Sequence, residues 1–485
     1  MSVALIKGDK RVKEKRTQIG VNSKKDTSAL RRLPSIEEIL SGADIIAGID
    51  RYGRPAVLRA CRVAASRLRR QVLSGLEPPA NNLGWLRAET LRLAEESLRP
   101  SITHLINATG VLLHTNMGRA PLSEALIARA SKRAAGYSNL ELDLLAGKRG
   151  SRTVHFQKSI AALVPGKAGL VVNNTAAAVF LILNTLASGK EVIVSRGELV
   201  EIGGSFRIPD ICGRSGARLI EVGTTNRTRL SDYSNAIGKE TGLLLKVHPS
   251  NFRVIGFTEG VDPEDLAVLG RRRHLPVVAD AGSGSLIELP GILGHEPSPA
   301  DYLRQGYSLV CFSADKLMGS CQAGLILGKP RFIDLLRRNP LYRALRPDKL
   351  TIAILEETLI LNASDRLREI PLLRAALAGL SEIEERAAAL AERLKHVAAV
   401  EIRSGESLMG GGSSTDLRIP TCLVLIRPRT LSDTSLLQAM RSARTPVIAR
   451  AEKNNVLIDL RTVPPEEDGL VAKVIVDALS VNNDI

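Results

Sequence analysis

Five cysteines, Cys61, Cys212, Cys311, Cys321 and Cys422, are spread through 485 residues, with no C-x-x-C pair and no histidine cluster beside them. An odd, dispersed set excludes a disulfide framework and a thiolate zinc site, so the thiols are expected free and no metal is expected. The chain also lacks the apolar stretch that an export signal places after its basic start: Lys7, Lys10, Arg11, Lys13, Lys15 and Arg16 are followed by further polar residues. This points to the cytoplasm. No clean membrane-length apolar run exists either. Residues 168–187 come nearest, but Asn173, Asn174, Thr175 and Asn184 interrupt them, as suits a buried strand and helix. Hydrophobic residues at 44% and charged residues at 24% exclude a disordered chain, and the length corresponds to about three domains.

The charge is unevenly placed. Lys and Arg total 67 against 51 Asp and Glu, a net of +16. Residues 1–32 hold ten basic and three acidic residues, 33–50 hold four acids, and 51–76 hold seven arginines and no acid, so the first 76 residues carry +10 of the total. A small basic module at this end is the footprint of a partner that is a polyanion such as nucleic acid, although a basic tail alone also serves solubility. Residues 1–29 read as a flexible extension. In residues 30–100, Ser35 is placed to cap a helix with Glu37 and Glu38 in its first turn, and Pro55 to begin another that Gly75 ends. Leu58, Cys61, Ala65, Leu68 and Val72 fall at helical spacing in the latter, leaving Arg59, Arg62, Arg67, Arg69 and Arg70 outward. A turn at 78–82 and a helical stretch at 86–98 lead to Pro100.

From residue 106 onward the texture is α/β. Apolar runs at 169–173, 191–195, 218–223, 243–248, 276–282, 308–313 and 323–328 recur with helical patterns between them, which predicts a mostly parallel sheet covered on both faces. A long helix at 372–395, a Gly-rich turn at 409–414 and apolar runs at 422–426 and 455–460 predict a smaller α+β C-terminal domain. The expected division is 1–29, 30–100, 101–360 and 361–485.

Ligands of open α/β sheets lie beyond the carboxyl ends of the strands. Three places there carry chemistry. One run ends in Asp280, another in Ser313 followed by Ala314, Asp315 and Lys316, and a third in Asn173, Asn174, Thr175 and Ala176. A lysine for an imine, an acid for a pyridinium nitrogen and a helix start for a phosphate are what pyridoxal 5'-phosphate needs. Taken singly, Lys316 reads as a loop lysine, Asp280 as a turn acid and the Asn-Asn-Thr segment as an ordinary helix start. Together, in that order and each after a strand, they favour the cofactor.

Longer blocks resemble one family. INATGVLLHTNMGRAPL (106–122), NLELDLLAGKRGSR (139–152), VVNNTAAAV (171–179), SRGELVEIGGSFRIPDI (195–211), EVGTTNRT (221–228), KVHPSNF (246–252), FSADKLMGSCQAG (312–324) and LYRALRPDKLTIAILEETL (341–359) are similar to the signature blocks of bacterial selenocysteine synthase, the L-seryl-tRNA(Sec) selenium transferases. The likeness runs collinearly from residue 30 to 468. It implies a fold type I pyridoxal-phosphate transferase with a small helical N-terminal domain that grips selenocysteine tRNA, assembled as a ring of dimers, a homodecamer. Residue by residue it implies that Lys316 carries the cofactor, that Asp315 assists it, that Asp280 faces the pyridinium and that Asn251 lies near cofactor and substrate. It further implies that Arg119, Arg343 and Arg346 receive the anionic selenium donor, and an i, i+3 spacing would set Arg343 and Arg346 on one helical face. Ala281, Ala314 and Cys321 stand where the family pattern leads one to expect Leu, Gly and Pro; Ala314 then requires a backbone outside positive φ, and Cys321 is expected to be a packing thiol. His114 and His248 lie inside blocks, either as structural histidines or against the cofactor or tRNA end.

The implied reaction converts seryl-tRNA(Sec) to selenocysteinyl-tRNA(Sec): water is eliminated to give an aminoacrylyl-tRNA, and selenophosphate then supplies selenium. The rival within the same chemistry is a lyase acting on a small phosphorylated amino sugar or amino acid, for which the basic module at 30–100 has no use. A non-catalytic RNA-binding protein on the same fold is disfavoured by the presence of Lys316, Asp280 and all three arginines.

Overall fold

The computed structural model describes residues 30, 32–202, 206–249, 252, 254–286, 297–411 and 417–480. The extension 1–29, Asn251 and residues 412–416 of the Gly-rich turn lie outside the described residues. The chain divides into two compact units, Met1–Thr103 and His104–Ile485.

The first unit is helical: Ile36–Leu40, Ala43–Tyr52, Arg54–Leu73 and Asn82–Leu98. Ser35 and Glu38 form the reciprocal cap that satisfies two N–H groups at the start of the first helix. Pro55 lies in the first turn of the third, and Gly75 takes the positive φ (86°) that stops it. The buried stripe of this helix is Val57, Ala60, Cys61, Ala64 and Leu68, with Leu58, Ala65 and Val72 half-buried at its shoulders. The stripe thus lies about one residue round from the expected one, because the alanines let Ile39, Leu86 and Ala94 of neighbouring helices approach closely. Arg51, Arg54, Arg59, Arg62, Arg67, Arg69 and Arg70 are all exposed. Of these, Arg67 pairs with Glu89 at 3.0 Å, and among the described residues the other six form no ion pair. The last helix starts at Asn82, four residues before the expected start, because the Asn81 side chain caps the Gly84 N–H.

The second unit holds a seven-stranded sheet in the order Ala168–Val172, Gly324–Gly328, Leu309–Ser313, Val277–Asp280, Thr241–Val247, Glu191–Ser195, Arg218–Val222. All pairings are parallel except those of Gly324–Gly328, which runs antiparallel to both neighbours. Successive side chains face opposite sides. Leu170, Val172, Val192 and Val194 pack with Leu181, Ile182 and Leu183 of the helix Thr175–Ala187, while Val171, Ile193 and Leu244 pack with Phe156, Leu266, Tyr302, Leu355 and Leu359. Burial on both faces is why the central strands, Val277–Asp280, Leu309–Ser313 and Gly324–Gly328, are nearly unbroken apolar runs, each large side chain contributing roughly 1.5–3 kcal/mol, whereas the edge strand Arg218–Val222 is buried only at Val222.

A five-stranded sheet follows, in the order Arg450–Glu452, Asn455–Asp459, Arg418–Arg427, Ala399–Gly410, Val111–Leu113, covered by the helices Leu380–Leu394, Asp433–Ser442 and Asp468–Ser480. Two expectations differ here. Residues 106–113, placed in the large domain by a boundary at 101, build into the C-terminal domain instead: Val111–Leu113 is an edge strand of its sheet and Ile106–Asn107 pairs with Val447–Ile448. The helix expected over 372–395 is two, Pro371–Leu377 and Leu380–Leu394, because the chain is extended at Ala378 and Gly379. Among the described residues no helix is long and apolar enough to cross a membrane.

Candidate active site

Three adjacent parallel strands end side by side. Val247 lies opposite Asp280, and Asp280 opposite Cys311. The His248 N–H donates to the Asp280 carbonyl (2.9 Å) and the Ser313 N–H to the Gly282 carbonyl (3.1 Å), so His248, Asp280 and Ser313 share one edge. Beyond Ser313 the chain makes a closed turn: Ala314 donates to Ala323, Ser320 to Ala314 and Gly319 to Lys316. Lys316 and Asp280 are only 5% and 4% exposed. Burial raises the Asp280 carboxyl above its ordinary range, and the Gly282 N–H and the Lys316 charge pull it partly back. A buried acid of this kind favours a cationic neighbour.

Beside it, Asn174 caps the helix Thr175–Ala187 by accepting from the Ala177 N–H (2.9 Å), which leaves the Thr175 and Ala176 N–H groups ahead of the intrahelical ladder. Thr175 and Ser313 hydroxyls share a hydrogen bond of 2.5 Å. Gly324 is required here, since a Cβ on it would run into the Asn174 carbonyl. The result is a cup of N–H and hydroxyl donors at the positive end of a helix dipole, the usual receptor for a phosphate.

Arg119 reaches the site from the loop after Val111–Leu113. Its backbone is held at φ 64° by its own N–H on the His114 carbonyl (3.2 Å) and by Ala120 N–H on the Asp315 carbonyl (3.2 Å), and its Nη1 donates to Asp315 Oδ2 at 2.7 Å. Arg346 donates to Glu141 at 3.0 Å, and Glu141 also receives Arg152 (2.7 Å) and Arg149 (3.0 Å). Arg152 first, then Arg346 and Arg149, hold that carboxyl below its ordinary range. The segment is tied to the phosphate cup by the Asn173 N–H, which donates to the Leu345 carbonyl (2.9 Å). The expected shared helical face is not formed: the helix is only Tyr342–Leu345, Arg343 is exposed on it, and Arg346 has left it in an extended conformation ahead of Pro347.

Ala314 is not among the residues with positive φ. Cys321 donates to the Thr351 carbonyl (3.7 Å), and burial pushes its thiol up to about 11, so it is protonated and unreactive near neutral pH.

Sequence reasoning missed a buried ion pair behind the strand ends. Lys246 Nζ donates to Glu198 Oε1 (2.6 Å) and to the Val261 carbonyl (3.2 Å), and the Val247 N–H donates to Glu198 Oε2 (2.9 Å). The signal was a lysine inside an otherwise apolar strand. Burial, then the charges of Lys246 and Lys316, lower His248 from 6.5 to about 4. His248 is therefore neutral in the folded protein at pH 7. Between pH 6.5 and about 4 the unfolded chain takes up a proton that the folded chain refuses, so stability falls as pH falls through that window, by on the order of 3 kcal/mol. His248→Gln should flatten the loss of unfolding midpoint between pH 7 and pH 5; an unchanged slope in denaturant titrations contradicts the assignment.

A family model described as L-seryl-tRNA selenium transferase matches residues 105–464, and one described as selenocysteine synthase N terminal matches residues 30–69. The chain belongs to the L-seryl-tRNA selenium transferase family. It is 44% identical over 458 residues to the L-seryl-tRNA(Sec) selenium transferase of Aquifex aeolicus, covering 94% of this chain and 100% of that protein. It is likewise 44% identical to that of Geotalea daltonii, covering 90% and 96%. Among solved structures, D-glucosaminate-6-phosphate ammonia-lyase aligns with a TM-score of 0.58 at 16% identity over 80% of this chain and 99% of its own, a likeness of fold. That fold is fold type I, and the cofactor of this selenium transferase family member is pyridoxal phosphate. The residues present fit it: a buried lysine, a buried acid whose carboxyl is raised by burial, and a donor-lined helix start whose backbone Gly324 can approach only because it has no side chain.

Proposed function

We propose that this chain converts seryl-tRNA(Sec) to selenocysteinyl-tRNA(Sec) with selenophosphate as donor, in the cytoplasm, and as a ring of dimers. The observation that carries the reading is the near-complete, collinear family match together with Lys316 and Asp280 buried at neighbouring strand ends. Lys316 would hold pyridoxal phosphate covalently, Asp280 would face its ring nitrogen, and Asn174, Thr175, Ala176 and Ser313 would surround its phosphate. Bound there, the cofactor supplies a sink for the electron pair left when the Cα–H bond of the seryl group breaks. Lys316 Nζ, freed once the seryl amino group has replaced it on the cofactor, would take that proton and return one to the departing hydroxyl, as the basic group then beside the α-carbon. Asp315, hydrogen-bonded to Arg119, orients the lysine turn. His248, neutral at pH 7, adds no competing charge beside Lys316.

Arg119, Arg343 and Arg346 are assigned to the donor anion, and Asn251, by resemblance alone, to the neighbourhood of cofactor and substrate. Binding would draw Arg119 from Asp315 and Arg346 from Glu141, exchanging one charge-assisted bond for another. The basic unit 30–100 is assigned to the tRNA, on the strength of its charge and of the six arginines between 51 and 70 that form no ion pair among the described residues.

Incubation with seryl-tRNA(Sec) and selenophosphate, followed by ester hydrolysis, should release selenocysteine; recovery of serine alone overturns the reading. In the same assay Arg346→Ala should raise the donor concentration for half-maximal rate roughly 10- to 150-fold, the effect of losing one charge-assisted bond of about 1.5–3 kcal/mol. Arg346→Lys should restore only part of it, since an ammonium keeps the charge and loses the planar fork.

A further inference from the structure

Behind the strand that delivers Arg119 lies a buried polar knot. Asp459 ends the strand Asn455–Asp459 and is fully buried, as are Ser407 and Thr421 on the next two strands of the five-stranded sheet. Its carboxylate accepts from Ser407 Oγ (2.7 Å), Thr421 Oγ1 (2.9 Å) and the Arg461 N–H (3.0 Å). Three donors offset what burying the charge would otherwise cost. Arg461, itself buried, turns its guanidinium to main-chain carbonyls, those of Ala375 (3.0 Å), Ala378 (2.8 Å) and Pro420 (2.6 Å). A buried carboxylate and a buried guanidinium add little net stability over apolar residues of the same size, so their contribution is to fix the segments they join. The knot is buried within a single chain, and its geometry does not depend on which surfaces a partner chain covers.

Those segments lead to the two partners of the Arg119–Asp315 ion pair. On one side is the turn at 107–110. The Asp459 N–H donates to the Ala108 carbonyl (3.0 Å), the Gly110 N–H donates to the Thr462 hydroxyl (3.1 Å), and a Cβ on Gly110, whose φ is 76°, would overlap Asp459 Oδ2. Only glycine lets the turn lie this close. From Gly110 the chain enters the strand Val111–Leu113, which is paired to Leu408 and Gly410, and nine residues beyond Gly110 it presents Arg119. On the other side, Arg461 closes the carbonyl end of the helix Pro371–Leu377. Ile370, at the opposite end of that helix, lies against Gly319, where a Cβ would strike its side chain, in the closed turn that follows Asp315 and Lys316. The knot therefore grips both sides of one contact through the main chain. We propose that Asp459 and Arg461 are positioning residues that hold Arg119 and the Asp315 turn in register for the donor anion. This rests on the function proposed above and gives its donor site a support buried in the C-terminal domain.

The test uses the full-length holoenzyme and selenophosphate alone, with binding measured by calorimetry so that no turnover is needed. Asp459→Ala should weaken selenophosphate binding at least about 5-fold, a part of the roughly 10- to 150-fold loss expected when Arg119→Ala removes the bond outright. In an enzyme carrying both changes the loss should be no greater than for Arg119→Ala, since a support that acts through Arg119 then has nothing left to position. Asp459→Asn should retain most of the affinity, because its amide oxygen can accept from Thr421 and the Arg461 N–H while its NH2 donates to Ser407. A role confined to stability would lower the melting temperature of Asp459→Ala and leave the affinity of the folded protein unchanged. That result, or additive losses in the double variant, overturns the proposal. If Asp459→Ala does not fold, Thr462→Val, which removes only the acceptor of the Gly110 N–H, takes its place in the cycle: a weaker affinity that vanishes in the Arg119→Ala background supports the proposal, and an unchanged affinity overturns it. A cycle that holds in an enzyme making no selenocysteine would refute the proposed reaction alone. Failure of the unmodified enzyme to bind selenophosphate would remove the donor site, and this proposal with it.

Discussion

Lys316→Ala is expected to eliminate covalent attachment of the cofactor and to lower turnover by at least about 10²–10⁴-fold, the range a positioned acid–base group contributes. No neighbouring amine can substitute. Lys246 is bound to Glu198 and the Val261 carbonyl, and the exposed Lys349 donates to the Gly136 carbonyl. Small added amines cannot readily take its place either, because Lys316 sits on a turn closed by Ala314, Gly319, Ser320 and Ala323 and is almost fully buried. Borohydride reduction of the holoenzyme followed by peptide mapping locates the attachment. A pyridoxyl label on Lys246 or Lys349 would place the centre elsewhere, and an active Lys316→Ala enzyme would remove the lysine from the chemistry altogether.

Deleting residues 1–103 is expected to leave cofactor binding intact and to abolish the affinity for tRNA. The two units have separate apolar cores, one around Ile39, Cys61, Leu68 and Leu86, the other on both faces of the seven-stranded sheet, so the deletion removes no core residue of the second. What it removes is the cationic surface of the helix Arg54–Leu73 and the residues around it. For the full-length protein, the logarithm of the binding constant should fall linearly with the logarithm of salt concentration as phosphate contacts release counterions. Deleting residues 1–29 alone should give a milder loss, since a charged tail adds attraction without shape. Electrophoretic mobility shifts at physiological salt decide it: a truncated protein that still retards the tRNA places recognition in the second unit.

How far the fold could be read from sequence depended on where each element is buried. All seven strands of the large sheet were visible, the inner ones because burial on both faces leaves an apolar run such as LVCFS at 309–313, and the edge strand Arg218–Val222, of which only Val222 is buried, because Leu219, Ile220 and Val222 still mark it. The strand Ala399–Gly410 was not, since most of its residues are exposed or half-buried and several are polar. The break at Ala378–Gly379 was masked by the strong helical composition around it. In the site, Lys316, Asp280 and the Asn174 cap were legible because each is a polar group immediately beyond an apolar run. The Glu198–Lys246 pair was not, as its partners are 48 residues apart and meet only when the strand Glu191–Ser195, which the Glu198 turn follows, pairs with Thr241–Val247. Arg343 and Arg346 were expected on one face by spacing alone, and the turn before Pro347 separated them.

The antiparallel strand Gly324–Gly328 also bears on how the protein is made. It lies between Leu309–Ser313 and Ala168–Val172, and only through it do the Ser313 and Thr175 hydroxyls, 138 residues apart, come within bonding distance. During synthesis the phosphate cup therefore cannot exist until the ribosome has released residue 328 and that strand has slotted between its two neighbours. Such long-range pairing is slow compared with local helix formation. A nascent chain shorter than this can contain the helix start at Thr175 and the strand carrying Asp280, yet it has nowhere to seat the cofactor, so loading belongs to a late stage of folding.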